Sequence, residues 1–195
     1  MISTFTAFVD ANVFFGARLR SLLLFLSQTK MYRARWSEQV HQEWMAAAAK
    51  KRGIEPEKLQ TLRKLMDRAV PDALVSGYEQ LEAGIKLPDP KDRHVVAAAT
   101  LTRADVIVTF NLTDFPMEVL KPLRLEARHP DEFLQDLFGI SHDLFVEAVK
   151  KDYEHYIQPK LSFADYVEGF RNAGVPKTAD LLEKLRVVIT AEEAA

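Results

Sequence analysis

The 195-residue chain is predicted to be an α/β protein, a three-layer α/β/α sandwich with a central parallel sheet, followed by a helical C-terminal extension. Short apolar runs that suit buried strands alternate with stretches that suit helices, which is the pattern of βαβ units. Two of these runs, at residues 5–9 and 105–110, end directly in polar residues. The balance of charge changes sign near Gly139, so we predict a first part over residues 1–139 and an extension over residues 140–195.

The elements of the first part are predicted from apolar runs, capping residues and glycines. Strands are expected at residues 5–9, 31–36, 73–75, 105–110 and 123–127. Helices are expected at residues 13–28, 38–51, 57–70, 78–83, 90–103 and 130–138. Ser37 and Asp89 suit N-caps because their side-chain oxygens accept unpaired backbone N–H groups, and Gly53 suits the end of a helix. The alternation therefore predicts parallel strands whose carboxyl ends share one edge of the sheet.

Composition excludes several functional classes. The chain has no cysteine, which removes disulfides, thiolate catalysis and zinc–thiolate sites and fits a reducing cytoplasm. The apolar run at residues 22–26 is too short to span a bilayer, so no membrane partner is expected. The seven glycines form neither a phosphate-binding loop nor a dinucleotide fingerprint.

Charge is distributed unevenly along the chain. Residues 1–128 contain 19 Lys and Arg against 15 Asp and Glu, whereas residues 129–195 contain 7 against 13. No acidic residue occurs between Ala11 and Ser37, a segment that contains several arginines. A basic segment beside carboxylates suits a polyanionic substrate held near a metal. A solvated basic helix face explains the same residues equally well.

Two carboxylates fall on predicted apolar helix faces. Glu43 lies on the stripe that Val40 and Trp44 define in the helix at residues 38–51. A buried carboxylate needs a cation or strong donors, although a position at the edge of the stripe would let Glu43 reach water. Asp92 begins the inward stripe of the helix at residues 90–103, where an acid is also favoured by the helix dipole alone.

These acids are expected to meet two polar residues at strand ends. Asp10 follows the first strand and Asn111 the fourth, at the edge where open α/β sheets bind ligands. With Glu43 and Asp92 on inward helix faces, all four side chains could share one pocket. Several carboxylates do not remain ionised at close range without a counter-charge. Because hard divalent ions prefer carboxylate oxygens, the sequence predicts a Mg²⁺ or Mn²⁺ site there.

The motifs taken together resemble the PIN-domain nucleases, in particular the VapC-type toxins of bacterial toxin–antitoxin pairs, over about residues 5–138. They are Asp10-Ala-Asn12, Glu43 on a helix, Asp92 before His-Val-Val-Ala-Ala-Ala, and Val-Thr-Phe-Asn111-Leu-Thr-Asp114-Phe. The resemblance implies a PIN-like fold and a Mg²⁺- or Mn²⁺-dependent endoribonuclease. It also implies an RNA substrate of the tRNA or rRNA class, a small cognate antitoxin protein and a cytoplasmic location.

The resemblance also assigns roles to single residues. Asp10, Glu43 and Asp92 would be the catalytic metal ligands, supported through hydrogen bonds by Asn12 and Thr109. Many family members have an acid where this chain has Asn111, which leaves the number of metal ions open. Asp114 is the residue that could compensate, so both are included in the predicted metal site. The residues predicted to bind RNA are Arg18, Arg20, Arg33, Arg35 and Arg93.

Two alternatives remain open from the sequence. The chain could be a catalytically inert PIN-like module that binds RNA or a protein, a possibility that Asn111 supports. Residues 141–190 are predicted to form two or three helices, with breaks around Pro159 and at residues 174–176. These helices are interpreted as the surface for a partner or for a homodimer, or as a cap that only completes the core.

Overall fold

A parallel sheet of five strands forms the centre of the molecule. The computed structural model describes residues 5–156 and 160–191 of the chain. The strand order is β3-β2-β1-β4-β5, and every neighbouring pair is parallel. The strands are β1 (Thr6–Val9), β2 (Arg33–Ser37), β3 (Leu74–Val75), β4 (Val106–Val108) and β5 (Glu126–Arg128). The predicted α/β class is confirmed.

The central strands are buried along their whole length, as parallel strands covered on both faces should be. All residues of β1 and β4 are buried, and their register pairs Val9 with Val108. The next residues, Asp10 and Thr109, therefore leave the sheet side by side at its carboxyl edge. This edge is where the predicted site residues converge.

Eight helices precede residue 141 within the described part of the chain and flank the sheet. They are α1 (Ala11–Phe14), α2 (Ala17–Gln28), α3 (Glu38–Arg52), α4 (Pro56–Ala69), α5 (Glu79–Glu82), α6 (Arg93–Leu101), α7 (Met117–Leu120) and α8 (Pro130–Ile140). The single helix predicted at residues 13–28 is wrong. Gly16 is extended (φ −76°, ψ 111°) and separates α1 from α2, because glycine is a poor residue for a helix interior.

The capping residues next to the site lie where the sequence predicts them. The Ser37 hydroxyl accepts the Val40 N–H at the start of α3, and Gly53 at its end has φ 63°. Asp89 Oδ1 accepts the Lys91 N–H, and a 3-10 turn at Pro90–Asp92 leads into α6. Asp92 makes no side-chain capping hydrogen bond, so its carboxylate is available for another role.

Four further helices follow in the described C-terminal residues, where two or three were predicted. They are α9 (His142–Glu154), α10 (Phe163–Asn172), α11 (Pro176–Lys184) and α12 (Arg186–Thr190). The chain turns between α10 and α11 at Gly174, where φ is 84°. The break predicted around Pro159 lies outside the described residues. No helix within residues 5–156 and 160–191 has the length and apolar character needed to cross a membrane.

The C-terminal helices pack against the first part of the chain through buried polar contacts. Helix α9 packs on α2, and α11 packs on α8. Asp152 of α9 is fully buried and accepts hydrogen bonds from the hydroxyls of Ser21 and Tyr166. Gly139 lies inside α8, so the proposed boundary between residues 139 and 140 falls near the end of a helix. The division into two domains stays a prediction.

Candidate active site

A cavity of about 380 Å³ opens at the carboxyl edge of the sheet. Asp10 follows β1, Asn111 follows β4 by three residues, Glu43 lies in the middle of α3, and Asp92 immediately precedes α6. These four residues line the cavity together with Asn12. The structure therefore brings five of the predicted site residues to one place from well-separated points in the sequence.

Asp10 is held by a dense set of hydrogen bonds. Its side chain is 5% exposed, and Oδ1 accepts the Ala11 N–H at 2.7 Å, which caps α1. Oδ2 accepts from the Thr109 hydroxyl at 2.7 Å and from the Asn12 amide at 2.6 Å. These bonds fix the orientation of the carboxylate and leave lone pairs available on its oxygens.

Thr109 and Asn12 join the ends of β1 and β4. Thr109 is fully buried, and its hydroxyl oxygen accepts from the Asn12 amide at 3.0 Å and from the Asn111 N–H at 3.1 Å. The side-chain oxygen of Asn12 accepts the Phe110 N–H at 3.1 Å. Both residues that the sequence assigns to hydrogen-bond support therefore contact Asp10, although their function around a metal stays a prediction.

The carboxylates raise each other's pKa. Burial is the main reason why the pKa of Asp10 lies above its usual value; the Thr109 and Ala11 hydrogen bonds oppose that rise, and the charge of Glu43 adds to it. The pKa of Asp92 is raised to about 6 by burial first and then by the charges of Asp10, Asp89 and Asp114. Negative charge is thus concentrated here at an electrostatic cost that a cation would offset.

Glu43 faces a buried histidine. Its side chain is 37% exposed, so it lies at the edge of the apolar stripe of α3, and it accepts from the Gln39 amide at 3.2 Å. His94 is 1% exposed, and its Nε2 lies 3.1 Å from Glu43 Oε1. The distance suits an ion pair, whereas the angles fall outside those of a hydrogen bond. His94 therefore points toward the acidic cavity from α6 and contacts a partly exposed carboxylate.

Asp114 is the one predicted metal ligand that does not line the cavity. It ends a 3-10 turn, Leu112–Asp114, and is half-buried. Its charge nevertheless contributes to the raised pKa of Asp92, which places the two carboxylates close enough to interact. Asp114 thus acts on the site through its field rather than as a lining residue.

The oxygen atoms of the carboxylates and amides that line the cavity are suitable ligands for a hard divalent cation. Carboxylate and amide oxygens are the ligands that Mg²⁺ and Mn²⁺ prefer, and the repulsion among Asp10, Glu43 and Asp92 favours a positive charge between them. Within the described residues, however, no three His, Asp or Glu side chains are arranged as a completed metal-binding group.

Four of the five arginines predicted to bind RNA lie away from the cavity or are engaged elsewhere. Arg20 is 9% exposed, donates to the Phe14 carbonyl at 2.5 Å and lies over the Trp44 ring. Arg18 lies 4.0 Å above the Tyr156 ring. In β2, Arg33 pairs with the first residue of β1, at the opposite edge of the sheet, and Arg35 is half-buried beside it.

Arg93, the fifth, directly follows Asp92 and is half-buried. Its Nε atom has no hydrogen-bond partner within the described structure, and the residue does not line the cavity.

Other side chains line the cavity without having been predicted from the sequence. They are Ala11, Phe15, Trp44, Ala47 and Lys51. Two of them could have been predicted from helical spacing, because Ala47 and Lys51 follow Glu43 by four and eight residues and share its helix face. The position of Phe15 could not be inferred, since it depends on how α1 packs against α3.

Trp44 is fixed from behind by a buried polar chain. Its indole N–H donates to Nδ1 of His41 at 3.0 Å, and Nε2 of His41 lies 2.9 Å from Asp67. The Trp36 indole donates to the same Asp67 oxygen at 3.1 Å. His41 must accept at Nδ1 and donate at Nε2, so it is neutral, and burial lowers its pKa. These hydrogen bonds hold the Trp44 ring, which forms part of one wall of the cavity.

The parallel five-stranded sheet with acids at its carboxyl edge is consistent with the PIN fold. Residues 130–184 match the family model described as the VapC50 C-terminal domain. That match starts at the first residue of α8 and extends to the last residue of α11. The predicted resemblance to VapC-type proteins is confirmed.

A relative found by sequence comparison has the same name, VapC50, as the family model. The chain is 49% identical over 78 residues to "Putative ribonuclease VapC50" of Mycobacterium tuberculosis (strain ATCC 25618 / H37Rv). The aligned residues cover 40% of this chain and 43% of that protein, less than half the length of the relative. No solved protein structure shows significant similarity to the chain.

Proposed function

We propose that the protein is a Mg²⁺- or Mn²⁺-dependent endoribonuclease that hydrolyses RNA phosphodiester bonds. The observation that supports this proposal is the common cavity of Asp10, Glu43 and Asp92, which come from well-separated points in the sequence. The similarity to a relative named as a ribonuclease points in the same direction. A polyanionic substrate near clustered carboxylates requires a divalent counter-charge.

In the proposed mechanism, the chain's residues position and polarise the reacting groups. Asp10, Glu43 and Asp92 would hold the ion, which supplies the positive charge that acidifies an attacking water and stabilises the phosphate. Thr109 and Asn12 keep the Asp10 carboxylate in one orientation through their hydrogen bonds. Asn111 contributes an amide without charge at the same cavity.

We further propose that the protein is the toxin of a toxin–antitoxin pair and acts in the cytoplasm on tRNA or rRNA. Its partner would be a small antitoxin protein, and a homodimer is the second assembly to examine. The sequence match to VapC50 supports the proposal. Copurification of the chain with the product of a neighbouring small gene, followed by inhibition of cleavage by that product, would test it.

The first prediction concerns the acidic residues. Asp10→Asn and Asp92→Asn should each reduce cleavage by more than about 100-fold, because each removes one negative charge from the metal site. The fold should remain, since asparagine can still cap α1 at position 10. Cleavage of labelled tRNA and rRNA fragments with Mg²⁺ measures the activity, and circular dichroism checks the fold.

Asp72→Asn provides the matched control, because Asp72 is exposed and lines a different cavity, at the opposite edge of the sheet. It should cleave like the wild type. A wild-type rate in either Asp10→Asn or Asp92→Asn would count decisively against the site.

A catalytically inert RNA- or protein-binding module is the second candidate. The neutral Asn111 and the absence of a completed metal-binding group among the described residues favour it. Thermal unfolding separates the two functions. A nuclease should be stabilised by Mn²⁺, and this stabilisation should be lost in Asp92→Asn, whereas an inert module should show no Mn²⁺-dependent shift.

A further inference from the structure

One face of α3 leads from the acidic part of the cavity to a basic part. Glu43, Ala47 and Lys51 lie on this face at intervals of four residues, and all three line the cavity. The rise from Glu43 to Lys51 is about 12 Å along the helix axis. Because Ala47 has a small side chain, the surface between the two charged residues remains open.

The basic part contains an aromatic ring with two cations above it. Phe15, at the end of α1, is half-buried, whereas Lys51 and Arg52 are exposed in the last turn of α3. Arg52 Cζ lies 4.3 Å from the centre of the Phe15 ring, and Lys51 Nζ lies 5.5 Å from it. Both distances are within the range of cation–π contacts, which orient the cations at the rim of the cavity.

The acidic cavity needs such a basic rim if its substrate is a polyanion. The carboxylates of Asp10, Glu43 and Asp92 repel a phosphate backbone, and neither predicted arginine of β2 lines the cavity. Lys51 is the only cationic side chain among the residues that line this cavity in the described structure. Positive charge at this position would hold the backbone beside the carboxylates.

We propose that Phe15, Lys51 and Arg52 form a subsite for the nucleotide next to the scissile phosphate of single-stranded RNA. This inference rests on the proposed ribonuclease function and specifies how its substrate is held. The base stacks on the surface formed by the Phe15 ring and the Arg52 guanidinium, since splayed RNA bases stack on aromatic rings and on arginine planes. Lys51 binds the adjoining phosphate.

Equilibrium binding of a fluorescein-labelled single-stranded oligoribonucleotide to the full chain tests the subsite. EDTA is present, so that binding is measured without cleavage, and the salt concentration is varied. Lys51→Gln should lower the slope of log K against log salt by about 0.7, the value for one lost phosphate contact on a single strand. Phe15→Leu should weaken binding by about 5- to 100-fold with an unchanged slope, because it removes only stacking.

Lys50→Gln is the matched control. Lys50 is exposed in the same turn of α3 but does not line the cavity. It should keep the wild-type slope. Arg52→Gln serves as a second stacking variant in case Phe15→Leu unfolds, since Arg52 is exposed and its replacement leaves the core intact.

The outcomes distinguish a failure of the proposed subsite from a failure of the proposed ribonuclease function. If Lys51→Gln and Lys50→Gln have equal effects while the wild type cleaves RNA, the subsite is overturned and the ribonuclease function remains. If the variants lose binding as expected but the wild type shows no metal-dependent cleavage, the subsite is supported on an inert RNA-binding module. If the wild type binds no RNA in EDTA, the subsite is overturned, and the metal-dependent cleavage assay alone decides the ribonuclease function.

Discussion

At the scale of single residues, the groups around Asp10 determine the pKa and the orientation of its carboxylate. Burial raises its pKa, and the Thr109 hydroxyl and Ala11 N–H oppose that rise. A carboxylate that must bind a cation needs to be ionised and fixed, and these donors favour both. Replacing Thr109 should therefore weaken metal binding directly.

Thr109→Val should weaken Mg²⁺ binding by about 10- to 100-fold, because valine keeps the shape of threonine but removes the hydroxyl that orients Asp10. The pKa of Asp10 should rise further, so metal binding should become weaker at low pH than in the wild type. Titration with Mn²⁺ followed by thermal unfolding measures the affinity.

Thr100→Val is the control for this substitution. Its hydroxyl donates to the Val96 carbonyl within α6 and not to the site. Unchanged Mn²⁺ affinity in both variants would show that Thr109 has no supporting function.

At the scale of elements, the start of α11 depends on a side chain from α8. Asp131 is 4% exposed and accepts the Lys177 N–H at 2.9 Å and the Thr178 N–H at 2.8 Å. Its Oδ1 also accepts the Thr178 hydroxyl at 2.7 Å. These are first-turn donors of α11 that would otherwise lack partners, so a residue 46 positions earlier supplies the cap.

Asp131→Ala should destabilise the protein by about 2 kcal/mol, because it leaves buried donors of α11 unsatisfied. Urea unfolding followed by circular dichroism measures the change. Glu132→Ala is the control, since Glu132 forms only an exposed ion pair with Lys177 and should leave the unfolding midpoint unchanged. Equal midpoints for both variants would show that the cap does not stabilise α11.

Helices and strands near the site were predictable where a short stretch of sequence determines where they begin or end. The end of β1 follows from an apolar run that stops at Asp10, whereas β4 ends at Val108, two residues before the predicted end of that strand. The cap of α3 follows from Ser37, and the cap of the 3-10 turn before α6 follows from Asp89. The break at Gly16 was missed because a glycine inside an apolar helical pattern is compatible with either outcome.

Contacts between distant parts of the chain were not predictable in the same way. Arg20 looks like a surface cation in the sequence, yet tertiary packing buries it against the Phe14 carbonyl. The Asp131 cap spans two helices whose packing no local pattern encodes. Local spacing would have been sufficient for Lys51, which lies on the same helix face as Glu43.

At the scale of the whole molecule, a buried carboxylate connects the C-terminal helices with α2. Asp152 is fully buried between the Ser21 and Tyr166 hydroxyls, and Arg18 and His155 act on it through their charges. Burial raises the pKa of Asp152 to about 6, above its usual value of 3.8. The folded state therefore binds this proton more tightly than the unfolded chain does.

The stability that this proton contributes is complete below about pH 3.8 and is lost as the pH rises through about 6. Between about pH 5 and about pH 7.5, the wild type should lose about 1 to 2 kcal/mol of stability through Asp152. Asp152→Asn should lack this contribution, because the amide does not titrate.

Urea unfolding of both proteins at the two pH values isolates the effect as a difference between them. Comparing the variants cancels the other titrating groups of the chain. A difference in stability that is independent of pH would show that Asp152 does not carry a raised pKa.

The turn at Gly174 connects the far end of the chain to the cavity. A Cβ atom at position 174 would lie 3.2 Å from the Phe110 ring, and its φ of 84° is unfavourable for any other residue. Phe110 in turn donates its N–H to Asn12. The C-terminal helices and the acidic edge of the sheet are therefore matched parts: a chimera that exchanges one of them between relatives must also exchange the residues at positions 110 and 174.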